Sequence, residues 1–264
     1  MSYRTIVTVV NEHTISMVIA RYAIALAAAG KTNLVLYAVD DDGSDQTVLQ
    51  RSARHQDHLY SVASELGISV TRIREVGKIA TLLPKRVVLE KADLVFYPLT
   101  PYKRFGADRQ RLLLHTLLQS IRTDLAIMRV VTLARPHPGH ILVPLGKNIS
   151  GKEHRLLFIS ELASCFHAEI TLLHLFAERD KPTMPDEIHQ FRKLLEQRHI
   201  SVHERSGQGQ IGRAITVEAV TRQNDLVVLG ASGRGVVRRL FFGNPAGDVM
   251  QQPPCNTILF QAAH

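Results

Sequence analysis

Three glycines in the last part of the chain have the residue type and spacing needed to bind a phosphate group. Gly230 and Gly233 follow the apolar run from Leu226 to Leu229, and nine residues separate Gly233 from Gly243. The run is short and β-branched, which is typical of a buried parallel strand. Glycines let backbone amides approach a phosphate without a clash from Cβ. The pattern predicts a phosphate-binding loop, although the same glycines could simply shape a strand-to-helix connection.

Polar residues inside this loop could add to such a site. Ser232 can donate a hydrogen bond, and Arg234, with two further arginines nearby, can neutralise a polyphosphate. Asn244 precedes a proline, a pair that favours the start of a helix with Asn as N-cap and Pro at the first position. A helix start adds free amides and a favourable dipole for anions. For Asn244, capping alone is an equally reasonable interpretation.

The glycine spacing, with the strand, loop, helix and final strand around it, resembles the nucleotide-binding signature of the universal stress protein family. The Pro-Cys pair before the closing apolar run, Thr257 to Phe260, fits the same frame. The resemblance implies that ATP, or a related nucleotide such as ADP or AMP, binds in the second half of the chain, with Mg²⁺ as an optional companion. One departure concerns Asn244, because nucleotide-binding members carry Ser or Thr after the last glycine.

The resemblance also implies adenosine contacts at the ends of the first and second strands of this half. These contacts fall on Pro144, Leu145 and Gly146, and on Leu175 of the next strand. Family members often have an Asp where this chain has Gly146. Leu175 or its neighbour Phe176 could line a slot for the adenine ring.

Apolar runs of strand length alternate with helix-like segments along the whole chain. This alternation predicts βαβ units and parallel sheets. The expected fold is α/β, with two tandem open-sheet domains, each a five-stranded parallel sheet with helices on both faces. Such a fold is Rossmann-like and is the one that the family uses to bind adenine nucleotides.

A proline- and glycine-rich segment, residues 134–139, marks the boundary between the two domains. After it the pattern restarts, and short stretches repeat at one offset: Gly77-Lys-Ile-Ala matches Gly209-Gln-Ile-Gly, and Asp93-Leu-Val matches Asp225-Leu-Val. We therefore expect a tandem repeat with domains at residues 1–134 and 139–264.

The first domain has lost the glycine loop. Gapless pairing of the repeats sets Pro98, Pro101 and Arg111 opposite the three glycines. Proline has no N–H group to offer a phosphate. We expect no nucleotide in this domain. The resemblance implies instead that it pairs with another domain through edge strands, within a homodimer or as an intrachain pseudo-dimer, and the protein partner is unknown.

Composition and weaker motifs limit the alternatives. The formal charge of +8 comes from dispersed Lys and Arg residues, so nucleic acid is not expected as a partner. No run approaches the roughly 18 apolar residues of a membrane span, and no signal peptide is visible, which favours the cytoplasm. Cys165 and Cys255 are expected to be reduced thiols. No residue set predicts a catalytic or metal site.

Three local patterns are assigned structural roles. Gly207-Gln-Gly209-Gln-Ile-Gly212 matches a dinucleotide motif but is interpreted as a turn and a helix start. Ser150-Gly-Lys-Glu153 predicts a helix capping box. His174 is expected to pack within a strand rather than bind a ligand.

The leading functional hypothesis is a nucleotide-responsive stress or regulatory module, not an enzyme. The alternatives are a ligand-free dimerisation scaffold and a slow ATP hydrolase that uses the same loop.

Overall fold

The computed structural model describes residues 2–100, 107–131, 137–176, 183–231 and 249–264. The chain forms two compact units, residues 1–136 together with 263–264, and residues 137–262. Both cysteines lie in the second unit and are free thiols. None of the helices in the described ranges is long and apolar enough to cross a membrane.

Unit 1 is an α/β unit in which every strand pair runs parallel. Its strands lie in the order β3-β2-β1-β4-β5, with bounds β1 Thr5–Val9, β2 Asn33–Asp40, β3 Val70–Val76, β4 Leu94–Pro98 and β5 Asp124–Arg129. Its described helices are α1 Thr14–Gly30, α2 Gln46–Glu65, α3 Ile79–Leu89 and α4 Ala107–Ser120.

Unit 2 repeats this arrangement. Its strands are parallel and lie in the order β10-β9-β6-β7-β8, with bounds β6 His140–Leu145, β7 Glu169–Phe176, β8 Val202–Gln208, β9 Leu226–Gly230 and β10 Asn256–Gln261. Its described helices are α5 Lys152–Phe166, α6 Asp186–Glu196 and α7 Ile211–Thr221.

The helices cover both faces of each sheet. Crossovers between parallel strands are right-handed, so connections that run in opposite directions along the sheet lie on opposite faces. In unit 1, α1 packs against α2, and α3 packs against α4. In unit 2, α5 packs against α6, whereas α7 lies against β7 and β8. The predicted fold class is confirmed.

Local signals predicted some element ends correctly and others wrongly. Gly67, at φ +71°, follows α2, and a glycine after a helical segment is the usual sequence signal for such an end. The capping box at Ser150 was wrong, because α5 begins at Lys152 after Gly151, whose φ is +62°. A Cβ at Gly151 would come within 2.4 Å of the Ala262 side chain. The site therefore requires glycine, and the chain enters the helix from a left-handed turn without a side-chain cap.

Strand β8 is longer than its sequence suggested. Val202 is the single large apolar residue of this strand, but the strand continues to Gln208, so Gly207 is a strand residue. Only Gly209, at φ +112°, forms the turn before α7. The extension matters because it brings Gly207 to the carboxyl edge of the sheet, beside β7.

Candidate functional site

The carboxyl ends of β6, β7 and β9 meet at one edge of the sheet in unit 2. Strand β6 lies between β9 and β7, and the order of connection reverses there. Open parallel sheets bind ligands in the crevice at such a reversal. Pro144 and Leu145 lie at the end of β6, Leu175 near the end of β7, and Gly230 is the last residue of β9. The structure thus brings these predicted residues to one edge.

His174 fixes the end of β6. Its side chain is buried, and Nδ1 lies 2.9 Å from the carbonyl oxygen of Leu145. A carbonyl can only accept, so Nδ1 carries the proton and donates it. The ring also contacts Phe176 edge-on, with centroids 5.3 Å apart. As predicted, His174 is a packed strand histidine.

Gly146 is exposed immediately after β6. The nearest atom to a Cβ built at this position would be the carbonyl oxygen of Asn148, at 3.9 Å. Its backbone is not in the left-handed region, so neither space nor conformation requires glycine here. A side chain such as the Asp expected from the family pattern would fit.

Leu175 lines a cleft of about 430 Å³ between the carboxyl ends of β7 and β8 and helix α7. A Cβ at Gly207 would lie 3.1 Å from Cδ2 of Leu175, so the glycine keeps this side of the cleft open. The lining mixes apolar and polar side chains: Leu173, Leu175, Val217, Ser206, Gln208, Gln210, Arg213 and Glu218. From the sequence, Gly207 was assigned only to a turn, and its role in the cleft was not predicted.

Arg155, which was not predicted from the sequence, lies over the end of β9. It belongs to α5, only 8% of its surface is exposed, and its guanidinium occupies the space above Gly230. A Cβ at Gly230 would fall 0.6 Å from Nη2 of Arg155. Gly230 thus has a role that the sequence did not suggest, because its missing side chain makes room for a buried cation.

The electrostatic surroundings of Arg155 are unusual for a buried charge. Burial lowers the pKa of Arg155 to about 10, which still leaves the guanidinium protonated at neutral pH. Nearby carboxylates would raise this pKa, but desolvation is the sole cause of the shift. Among the residues that the structure describes, none accepts a hydrogen bond from the guanidinium. In the sequence, the one available sign of this residue was its position, because it is a charged residue directly before an apolar run in a helix.

An aromatic pair connects α5 with β10, the strand beside β9. Phe158 is on the same helix, and its ring stacks on that of Phe260 with centroids 4.3 Å apart. Phe260 is the register partner of Gly230 in the β9–β10 pair. The end of β9 is therefore rigidly packed on the α5 side.

The other predicted site residues lie outside the described ranges: Ser232, Gly233, Arg234, Gly243 and Asn244. Their roles stay predictions. The same is true of Pro101 in the first unit, although Pro98 is seen at the end of β4. No group of three or more His, Cys, Asp or Glu side chains suited to a metal occurs within the described residues.

In unit 1 the corresponding strand ends carry a polar network. Tyr37 is fully buried, and its hydroxyl donates to Glu75 of β3. Arg86 of α3 pairs with the same Glu75 and with Glu90, 3.1 Å away. Burial raises the pKa of Tyr37, and the two hydrogen bonds from Tyr37 and Arg86 lower the pKa of Glu75.

Known proteins share this architecture. Residues 138–261 match the model of the universal stress protein family. Over 98% of the chain, the fold is similar to 96% of a universal stress protein from Archaeoglobus fulgidus, with a TM-score of 0.71 and 14% identity. A putative universal stress protein from Pseudomonas aeruginosa gives a TM-score of 0.65 at 16% identity, covering 98% of this chain and 93% of that one.

A third similar structure is the cytoplasmic domain of a prokaryotic cation chloride cotransporter. Its TM-score is 0.66 at 12% identity, with coverage of 100% of this chain and 96% of that one. At sequence identities this low, a structural similarity shows the fold alone. No curated protein matches the chain. The family match over residues 138–261 identifies the second unit as a domain of the universal stress protein family, and the first unit has the same α/β fold.

Proposed function

We propose that unit 2 binds an adenine nucleotide (ATP, ADP or AMP) and acts as a nucleotide-responsive stress or regulatory module in the cytoplasm. The proposal is carried by one observation. Along the carboxyl edge of the sheet in unit 2, a buried cation lies at the end of β9, where the strand order reverses, and an open cleft lies at the ends of β7 and β8 beside Leu175. Family membership of this unit gives the proposal its choice of nucleotide.

The cleft has a size and a lining that suit the adenine base of a nucleotide. Its volume of about 430 Å³ lies within the range of about 300–1,000 Å³ that is usual for small-molecule sites. Leu173 and Leu175 offer apolar surface on which a purine ring can pack. Gln208 and Gln210 carry amides that can pair with polar edges of the ring.

The phosphates are assigned to the end of β9 and the glycine-rich segment after it. Gly230, Gly233 and Gly243 would provide close approach of backbone amides, with further donors at Ser232, Arg234 and Asn244. Mg²⁺, where present, would be held largely by the phosphates and water. Pro144, Leu145 and Gly146 would border the ribose at the end of β6.

Calorimetry with ATP and AMP tests the proposal. Gly207→Leu fills the cleft beside Leu175 and should weaken nucleotide binding by at least about tenfold. Val220→Leu, an exposed change on α7, is the matched control and should bind as the unchanged protein does. Mass spectrometry of small molecules released from purified protein should recover an adenine nucleotide. No binding at millimolar ATP or AMP would overturn the proposal.

A ligand-free dimerisation scaffold is the second candidate. It is favoured by Gly146, which stands where family members often have Asp. Absence of bound nucleotide, with a stable dimer in sedimentation experiments, would support the scaffold. A monomer would favour pairing of the two units within one chain. Phosphate release from ATP in the same samples tests the prediction that the protein is not an enzyme.

A further inference from the structure

We propose that Arg155 is an anion-binding residue whose guanidinium binds a phosphate group at the carboxyl end of β9. The identity of the ligand as a nucleotide rests on the proposed function, but the anion site does not. It follows from four properties of the described residues: the burial of Arg155, its missing counter-charge, its position in the fold, and the glycine beneath it.

Burial of the Arg155 charge is costly among the residues that the structure describes. Removing a charged group from water is expensive unless a partner compensates it. Arg155 is 8% exposed, and its pKa is lowered by desolvation alone. Within the described part of the chain, no carboxylate or carbonyl satisfies its five N–H donors. A bound phosphate would supply both the counter-charge and the acceptors, in the bidentate geometry for which guanidinium is suited.

The same position in unit 1 carries an apolar residue. Helices α1 and α5 are each followed by a residue in the left-handed conformation, Lys31 at φ 51° and His167 at φ 52°. The residues about three turns before these two ends are Ile19 and Arg155. Ile19 is completely buried in unit 1. The fold therefore accepts an aliphatic side chain at this position, and packing does not explain why unit 2 carries a cation there.

The location of Arg155 is that of a ligand site. Strand β9 lies next to β6, from which the chain passes into α5, so Arg155 reaches across the reversal point to Gly230. Ligands of open parallel sheets bind in this crevice. Because Gly230 has no side chain, the guanidinium rests directly on the strand end rather than turning away into solvent.

The test compares Arg155→Met with the unchanged protein. Methionine retains much of the length of the side chain and removes the charge. The matched control is Arg192→Met, which makes the same change at a partly exposed residue paired with Glu196 on α6. Calorimetry and thermal unfolding are measured with four probes: ATP, AMP, tripolyphosphate and adenosine.

We expect Arg155→Met to bind ATP and tripolyphosphate at least about tenfold more weakly, which is the effect of losing a charge-assisted pair. The affinity for adenosine should not change. Without ligand the variant should melt no lower than the unchanged protein, because an uncompensated buried charge has been removed. Arg192→Met should bind every probe normally. Should Arg155→Met fail to fold, Arg155→Lys replaces it; with its charge kept but the fork lost, it should show intermediate affinity for tripolyphosphate.

The possible results separate this inference from the proposed function. Equal binding of ATP by Arg155→Met and the unchanged protein would overturn the role of Arg155 and leave nucleotide binding intact. A second result is that ATP and AMP fail to bind, while tripolyphosphate stabilises the unchanged protein but not Arg155→Met. This result would support the anion site and overturn the proposal of nucleotide binding. No response of the unchanged protein to any anion would overturn both.

Discussion

The two units share one strand order but differ in what fills the carboxyl edge beside their third strand. In unit 1, Tyr37 pairs in register with Ile73, two residues before Glu75. Glu75 accepts from Tyr37 and pairs with Arg86. Three polar side chains thus connect β2, β3 and α3.

In unit 2 the same positions carry different residues. Leu173 pairs in register with Arg205, two residues before Gly207, so Leu173 and Gly207 correspond to the tyrosine and glutamate of unit 1. Glu218 occupies the eighth position of α7, as Arg86 does in α3. The aromatic ring and the central carboxylate are gone, and a cleft of about 430 Å³ lies there.

A second exchange lies on the other face of each sheet, where Ile19 of unit 1 corresponds to Arg155 of unit 2. Unit 1 is filled and internally paired at these positions. In unit 2 an Arg205–Glu218 ion pair remains, but a cleft lies beside it, and the described residues provide no counter-charge for Arg155. Two units with one fold can therefore differ at this edge through a few side chains. These differences are the physical basis for proposing that a nucleotide binds to unit 2 rather than to unit 1.

The largest effect is expected from Gly230→Val. Valine suits a strand, but its Cβ would overlap the guanidinium of Arg155, which must then move into poorer surroundings. We expect the free energy of unfolding of unit 2 to fall by about 3 kcal/mol, as for other overpacked sites. Urea denaturation measures this change.

Two further variants control for the backbone change. Gly207→Ala should cost little, since its Cβ meets only the flexible end of Leu175. Adding Arg155→Ala to Gly230→Val should restore part of the lost stability, because the overlapping group is then absent. Full stability of Gly230→Val alone would contradict close packing of Arg155 on Gly230.

A smaller effect is expected in unit 1 from Glu75→Gln. This change removes the negative charge of Glu75, with which both Tyr37 and Arg86 interact. It should lower the free energy of unfolding at pH 7 by about 1–2 kcal/mol. Denaturation of unit 1 at several pH values measures it. Glu196→Gln, in an exposed pair with Arg192, is the control and should leave the stability nearly unchanged.

The same variant has a defined pH dependence. Hydrogen bonds from Tyr37 and Arg86 hold the pKa of Glu75 below its ordinary value of 4.5. The carboxylate therefore stabilises the folded state fully above that value, and the contribution is lost as the pH falls below it. The difference between Glu75→Gln and the unchanged protein should shrink as the solution is acidified below this value. A difference that stays constant with pH would show that the charge of Glu75 is not responsible.

Gly146→Asp should strengthen nucleotide binding by unit 2 and so increase the difference between the two units. The position is open, and the nearest atom to a Cβ placed there is 3.9 Å away, so the fold should accept the change. An added carboxylate that accepts from the ribose should raise nucleotide affinity by up to about tenfold. Calorimetry with AMP measures this gain, and Gly146→Ala should leave the affinity unchanged. Weaker binding by Gly146→Asp would argue against a ribose at the end of β6.

The smallest perturbation is chemical labelling, which reports on unit 2 alone because both cysteines lie there. Burial raises the pKa of Cys165 and of Cys255 to about 12. At mildly alkaline pH only a very small fraction of each thiol is ionised, so a thiol reagent should react slowly until the unit opens. Gly230→Val should accelerate labelling, whereas Glu75→Gln should not. Acceleration by both would mean that the units do not unfold independently.

The alternation of strands and helices, the repeat and the parallel class of the sheets could all be predicted from the chain alone. These features depend on local periodicity and on turn residues such as Gly67, which act over a few neighbouring positions. The local signals failed where a distant contact decided the outcome. Ala262 leaves room only for a left-handed glycine at position 151, which displaced the predicted cap at Ser150.

Which side chains meet at the sheet edge depends on the tertiary structure. Arg155 and Gly230 are far apart in sequence and become neighbours because β9 lies beside β6. Leu175 and Gly207 meet through the register of β7 with β8. A glycine and an arginine carry no sign of each other in a linear pattern, since their interaction depends on strand order. The glycine pattern could therefore point to this edge as a candidate binding site, but not to the cation and the cleft that lie there.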